Sequence, residues 1–483
     1  VSFNAPLFLF VFLPVFLLVY LLAGGRLRNG WLLTASLAFY LWAAPLYFPL
    51  LLLTLLLNFW FARLAGQRTA RPLAARRALW LGIVFNIGTL AFFKIIVRYW
   101  MVLAAEAALP PSLTLYLQNH LTFPLGLSFL TFQAVASLVD AYQGRGERIE
   151  RFFPYALYLL LFPKLIAGPI VRYREIAGQI ADRAVTAQGM ADGARRFILG
   201  LAKKTLIADM LRPLTDYGVF ALSVPSLPAG NAWLVLLAYT LQIYYDFSGY
   251  TDMAIGLGRM AGFNFAENFN YPYIAKSLSE FWRRWHITLS GWFREYIFYP
   301  LERRRHGRGG LRQSVNILIV FVLTGLWHGV TPNFILWGGL HGTAIALEAG
   351  SPGKILKRLP VVFQHLYAML IIMVGWVFFR SSTPAYALGF LKSMLGLTEA
   401  HTPPFSILPP PEAPLWLAMA AGVIFSLPVI PWLKKRWSSL TAERPRLAIA
   451  GGIFRDAALL GLLIVSVFVL SAATYQPYIY GKF

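Results

Sequence analysis

The chain has no cysteine at any of its 483 positions. That excludes disulfide frameworks, thiolate nucleophiles and Cys-bearing metal sites. Charge is scarce: 13% of residues are Asp, Glu, Lys or Arg, against roughly 25% in soluble domains. Acidic residues are the rarer sign, 20 against 43 basic. The patterns H-E-x-x-H, G-x-S-x-G and the P-loop are missing, so metalloprotease, serine-hydrolase and ATPase readings lose support. No internal repeat of the kind that builds many secondary transporters is visible.

What is present is apolar. Hydrophobic residues make up 58% of the chain and aromatics 16%. A soluble protein of this composition could not cover its surface with polar groups. Apolar runs near the length needed to cross a bilayer recur, so the expected class is an all-α polytopic membrane protein. The net charge of +23 fits Lys- and Arg-rich cytoplasmic loops facing anionic membrane lipid better than nucleic-acid binding, and no nucleic-acid partner is expected.

Expected spans are 7–24, a helical hairpin over 31–62 turning near Pro45–Pro49, then 79–102, 121–142, 232–247, 314–331, 333–349, 361–379, 415–430 and 457–473. This makes roughly 11–12 passes. Basic clusters such as Arg63–Arg77 and Arg303–Arg312 alternate with the spans, placing them in the cytoplasm and the N-terminus outside. The Pro-rich stretch 402–414 then becomes an external loop. Segments 151–176 and 197–211 carry prolines or lysines within apolar surroundings; they are expected as interfacial or re-entrant helices lining a cavity. The whole chain, 1–483, reads as one transmembrane domain with a core over about 121–350, N-terminal helices over 7–102 and C-terminal helices over 361–473.

The polar residues within this apolar chain carry the functional argument. In "FVLTGLWHGV" (321–330), His328 lies twelve residues beyond Asn316, where the segment becomes apolar; at ~1.5 Å per residue that is roughly 18 Å into a core of about 30 Å. A neutral imidazole there can take a proton from a hydroxyl, or it can be a structural histidine satisfied by its neighbours; Gly325 and Gly329 are expected to leave open space beside it. "SEFWRRWHITLS" (279–290) places Glu280, Arg283, Arg284, Trp285 and His286 together. Trp and Arg suit a membrane-surface helix, but histidine adds nothing to anchoring, and guanidinium groups match the phosphates of a donor. Asp246 and Asp252 lie in or beside apolar helix, where ionisable groups are either functional or held in buried ion pairs. Trp327, Ser248, Tyr250 and Asn270 complete the candidate substrate-binding set with Arg283, Arg284, Trp285, Asp246 and Glu280. His341, in "GGLHG", is a weaker candidate. No metal site is expected.

The stretches "FPLGLSFLTFQAVASLVDAY" (123–142), "LFPKLIAGPIVRYREI" (161–176), "YYDFSGYTDMAIGLG" (244–258), "ENFNYPYIAKSLSEFWRRWHITLSGWFREYIFYPL" (267–301) and "LTGLWHG" (323–329) resemble the membrane-bound O-acyltransferase family. The similarity is greatest to the bacterial branch that O-acetylates alginate-like exopolysaccharides. It implies a ring of helices around a central funnel, with His328 as the catalytic histidine and His286 at the second active-site position. It further implies transfer of an acetyl group across the inner membrane from a cytoplasmic thioester, acetyl-CoA, with no bound cofactor. The implied acceptor is a periplasmic acetyltransferase protein within a polysaccharide synthesis complex. His328 would act as general base or transient acyl carrier, and His286 would orient or polarise the thioester. The alternatives are D-alanyl transfer from a carrier protein, a proton-coupled exporter and a non-catalytic scaffold.

Overall fold

The computed structural model describes residues 3–106, 110, 112–115, 121–216, 227–304, 310–397 and 412–472. Among these the regular structure is helical throughout, with no strand, as an all-α membrane protein requires when backbone groups must be satisfied within each segment. Most of the Pro-rich stretch 402–414 lies outside the described residues.

Among the described residues, five helices are long and apolar enough to cross a bilayer: Pro45–Ala65, Pro72–Trp100, Gly310–His328, Val361–Arg380 and Pro445–Ala472. A sixth span forms if Ala413–Ser426 and Val429–Thr441, bent by 63°, are taken together. The bend falls at Leu427–Pro428, where the residue before proline is extended, as the proline ring demands. Other expected spans do form helices, for example Leu127–Gln143 and Pro332–Ala349, but their apolarity is interrupted by residues buried within the protein. The long spans expose the residues that lipid would cover: Leu81, Val84 and Phe92 on one, Phe454, Ile464 and Phe468 on another.

By backbone contacts the chain falls into two compact units, residues 1–194 with 254–266, and 195–253 with 267–483. In the first, the break expected near Pro45–Pro49 is present: helices Gly25–Ala43 and Phe48–Ala65 are joined by a single turn of 3-10 helix at Pro45–Tyr47, but they do not pack along one another as the expected tight hairpin would, and of the two only the second is apolar enough to span. Asn58 and Asn86 exchange amide hydrogen bonds of 3.1 and 2.6 Å between the next pair of helices, a polar link suited to packing inside lipid. The segment 151–176 folds as short helices, Phe152–Leu160 and Phe162–Leu165, followed by the start of Tyr173–Ala181. Lys164 within it is fully buried; it donates to Gln133 Oε1 and lies 4.7 Å over the Tyr158 ring.

In the second unit the charged residues of 197–211 are accounted for by ion pairs. Lys204 Nζ is 2.6 Å from Asp246 and 2.7 Å from Asp209, and Lys203 Nζ is 2.6 Å from Asp252. Arg196 closes on Asp252 at 2.7 Å and on Glu267 at 2.6 Å. The approach is possible because Gly200 and Gly249 face one another: a Cβ on Gly249 would stand 2.7 Å from the Gly200 carbonyl oxygen. Both aspartates therefore take the ion-pair alternative.

Candidate active site

All residues of the candidate site belong to the second unit. His328 is the last residue of helix Gly310–His328, and the chain turns back into helix Pro332–Ala349 within three residues. It thus stands at the tip of a helical hairpin. Gly325 and Gly329 do not leave open space beside it. A Cβ on Gly325 would stand 2.2 Å from the Phe334 carbonyl oxygen, and one on Gly329 2.4 Å from the Phe334 ring. The missing side chains are filled by the returning helix, which corrects the sequence expectation: small residues here bring two backbones together. The His328 ring is buried in an aromatic box, with ring centroids 4.4 Å from Trp327, 6.1 Å from Phe334, 5.1 Å from Trp337 and 4.9 Å from Phe379.

His286 arrives from a different element. Helix Leu278–Arg284 starts at Ser277, whose Oγ accepts from Glu280 N–H. Glu280 in turn accepts from Lys276 N–H at 3.0 Å and pairs with Arg284 one turn on at 2.8 Å. The helix ends at Trp285, and His286 then takes up a left-handed conformation, φ 44°, before helix Ile287–Phe293 begins. Tyr271 (φ 46°) is the other non-glycine residue with positive φ among the described residues. Such a conformation costs of order 1–3 kcal/mol and persists only where surrounding structure enforces it. Here the enforcement is visible: Ile287 N–H donates to Asn268 O and Asn270 N–H to Arg284 O, each at 2.9 Å, so the loop carrying both residues is clamped alongside 284–287.

The two imidazoles share one indole. Trp327 lies 4.4 Å from the His328 ring and 6.5 Å from the His286 ring, centroid to centroid, so the histidines are no further apart than those two distances combined. Phe247 meets the His286 ring edge-to-face at 4.7 Å. His286 is buried, and burial lowers its pKa from the ordinary 6.5 to about 3.

The remaining candidates divide. Trp327 is central. Ser248 and Tyr250 are buried on the helix that carries Phe247. Asp246, one residue before Phe247, is turned to Lys204. Trp285 packs among Phe269, Phe281 and Trp376 at 5.1, 5.5 and 5.1 Å as part of an aromatic core. Glu280 and Arg284 are engaged with each other, and Arg284 also donates to the Asn270 carbonyl at 3.1 Å. The Asn270 side chain is exposed; its backbone is what the fold uses. Arg283 is exposed, and its charge acts on Glu280. His341 accepts from Trp282 Nε1–H at 3.3 Å and packs against Gly375, where any Cβ would meet its ring at 2.5 Å. It is a packed histidine. Sequence reasoning missed Asn268, Phe247, Phe334, Trp337 and Phe379. Asn268 is the most informative omission: its Oδ1 receives Thr288 N–H at 3.1 Å and Thr288 Oγ1–H at 2.9 Å, and stands 3.1 Å from His286 Nδ1.

Fold and site together define an all-α, multi-pass membrane protein with a buried centre of two histidines. Residues 73–353 match the family model of the membrane-bound O-acyltransferases. The chain is 40% identical to a probable alginate O-acetylase of Azotobacter vinelandii over 78% of this chain and 75% of that protein. It is 35% identical to the probable alginate O-acetylase of Pseudomonas putida over the full length of both. A peptidoglycan O-acetyltransferase of Helicobacter pylori is 35% identical over 82% of this chain and 80% of that protein. The chain belongs to the membrane-bound O-acyltransferase family, and it is an O-acyltransferase.

Proposed function

We propose that this enzyme moves an acetyl group from a cytoplasmic thioester, acetyl-CoA, to an acceptor on the other side of the inner membrane, for O-acetylation of an alginate-like extracellular polysaccharide. The observation that carries the reading is that His328 and His286, both buried, share one aromatic neighbour, Trp327. In such a setting burial keeps an imidazole neutral, so a lone pair is available to take a proton from the acceptor hydroxyl, and packed aromatic walls shield the acyl group from hydrolysis. The similarity to proteins named as O-acetylases over most or all of their length supports the acetyl group.

The reaction needs one base and no redox partner. The acceptor hydroxyl attacks the thioester carbonyl carbon, and its proton passes to His328. The C–S bond breaks, and the departing thiolate takes that proton, so His328 returns to its starting state. A transient acyl-His328 would satisfy the same balance in two steps. Arg283, exposed, has the guanidinium chemistry to hold donor phosphates. The acceptor would be a periplasmic acetyltransferase protein of a polysaccharide synthesis complex.

The test uses membranes carrying the full chain and its acceptor, supplied with acetyl-labelled acetyl-CoA. Label should reach the acceptor with the native protein and fail to do so with His328→Ala. If a D-alanyl carrier protein supports labelling and acetyl-CoA does not, the donor assignment falls and the acyltransferase class stands.

A further inference from the structure

The hydrogen bonds around His286 decide which of its nitrogens carries a proton. Three groups converge on Asn268 Oδ1: Thr288 N–H, Thr288 Oγ1 and His286 Nδ1. A backbone N–H can only donate, so the side-chain atom facing it has to be the amide oxygen and the orientation of Asn268 is set. A neutral imidazole has one N–H and one lone pair, and the partner of one nitrogen determines the state of the other. Nδ1, facing a carbonyl oxygen, must be the N–H. Nε2 is then a bare lone pair. It is buried and has no hydrogen-bond partner among the described residues.

We propose that Asn268 is a positioning residue that holds His286 as its Nδ1–H tautomer, so that Nε2 meets the reactants as an acceptor of hydrogen. Burial reinforces this by keeping the ring neutral. The sequence expectation that His286 polarises the thioester is thereby revised: a neutral Nδ1–H imidazole has no hydrogen on Nε2 to offer a carbonyl oxygen. The thioester oxygen must find its donors elsewhere, and the group that Nε2 meets carries a hydrogen of its own. Thr288 contributes by fixing the amide: with its two hydrogens on Oδ1, Asn268 cannot flip to present Nδ2 to the ring without setting donor against donor. The left-handed backbone at His286 serves the same arrangement, since it turns the ring back over the Asn268 loop while Ile287 N–H holds that loop in place. The consequence for catalysis rests on the acyltransferase reading; the tautomer itself does not.

The experiment is 15N NMR of the full chain in lipid bilayers with 15N-labelled histidine, the His286 signals being identified by their loss in His286→Asn. The native protein should show a protonated Nδ1 and an unprotonated Nε2. Asn268→Asp keeps an acceptor in place and should keep Nδ1 protonated. Asn268→Leu, of similar size without an acceptor, should shift the proton to Nε2 or divide it between the two. In parallel, kcat for acyl transfer should fall on the order of 10²-fold in Asn268→Leu with KM little changed, and Asn268→Asp should recover part of it. A protonated Nε2 in the native protein overturns the proposal on its own, even if Asn268→Leu fails to fold; so does an Asn268→Leu spectrum identical to the native one. If the spectra come out as expected and acyl transfer is indifferent to His286, the tautomer stands and the acyltransferase role of His286 falls.

Discussion

Asp246 can be assigned by a double-mutant cycle with Lys204. Lys204 is 2% exposed and Asp246 1%, with 2.6 Å between charges, so both are desolvated. Breaking such a pair by removing one partner costs about 3–5 kcal/mol, because an uncompensated charge stays buried. The two ends are not equivalent. Asp246→Asn leaves Lys204 with Asp209 at 2.7 Å and should fall at the low end. Lys204→Met strips the cation from two carboxylates and should fall at the high end, near a thousandfold or more in the folded-to-unfolded ratio. The combined Asp246→Leu/Lys204→Met variant removes both charges and should be less destabilised than the sum of its parts, with a coupling of about 1–3 kcal/mol. The assay is unfolding of the purified protein in detergent, beside the donor dependence of acyl transfer. Additive losses, with Asp246→Asn raising the donor requirement at unchanged stability, would refute the structural account and return Asp246 to substrate binding.

Arg283→Ala should raise the apparent donor requirement with little change in stability, whereas Arg284→Ala should destabilise the clamped loop at Asn270; steady-state kinetics and thermal unfolding of both separate the two. The folded state holds His286 near 3 against about 6.5 unfolded, so it binds fewer protons and stability falls as pH drops between those values. His286→Asn should flatten that part of the profile, and an unchanged slope would argue against burial of the neutral ring. Arg71→Cys, in this cysteine-free chain, should resist an impermeant thiol reagent added outside intact cells; labelling there reverses the proposed orientation.

How much of this was legible in the sequence depended on whether a feature was local. The break near Pro45 was legible because prolines interrupt one long uncharged run between basic clusters, but the tight packing of its two helices expected from the sequence is not found. His328 and His286 stood out because imidazoles are rare in such surroundings. The pairs of Asp252 and Asp246 followed from the cost of a lone buried charge, though the sequence could not choose Lys204 over an arginine. Gly325 and Gly329 were misread because a glycine looks the same whether it opens a space or admits a neighbouring helix; only Phe334, on the returning helix, distinguishes the two. Phe379 carries no mark that separates it from a lipid-facing Phe of the same helix. Asn268 lies 18 residues before His286 in a loop without periodicity, and its role depends on two backbone hydrogen bonds that no pattern announces.

The measurement that bears most directly on the central claim is acyl transfer by His328→Gln at normal expression in membranes. Gln approximates the bulk and polar groups of histidine and cannot exchange a proton near neutral pH. Loss of a general base is worth roughly 10²–10⁴-fold, so His328→Gln should be as inactive as His328→Ala while the protein remains folded and inserted. Near-native transfer by His328→Gln would contradict the account, because an aromatic box that tolerates an amide in place of the imidazole is holding a structural side chain and the chemistry lies elsewhere.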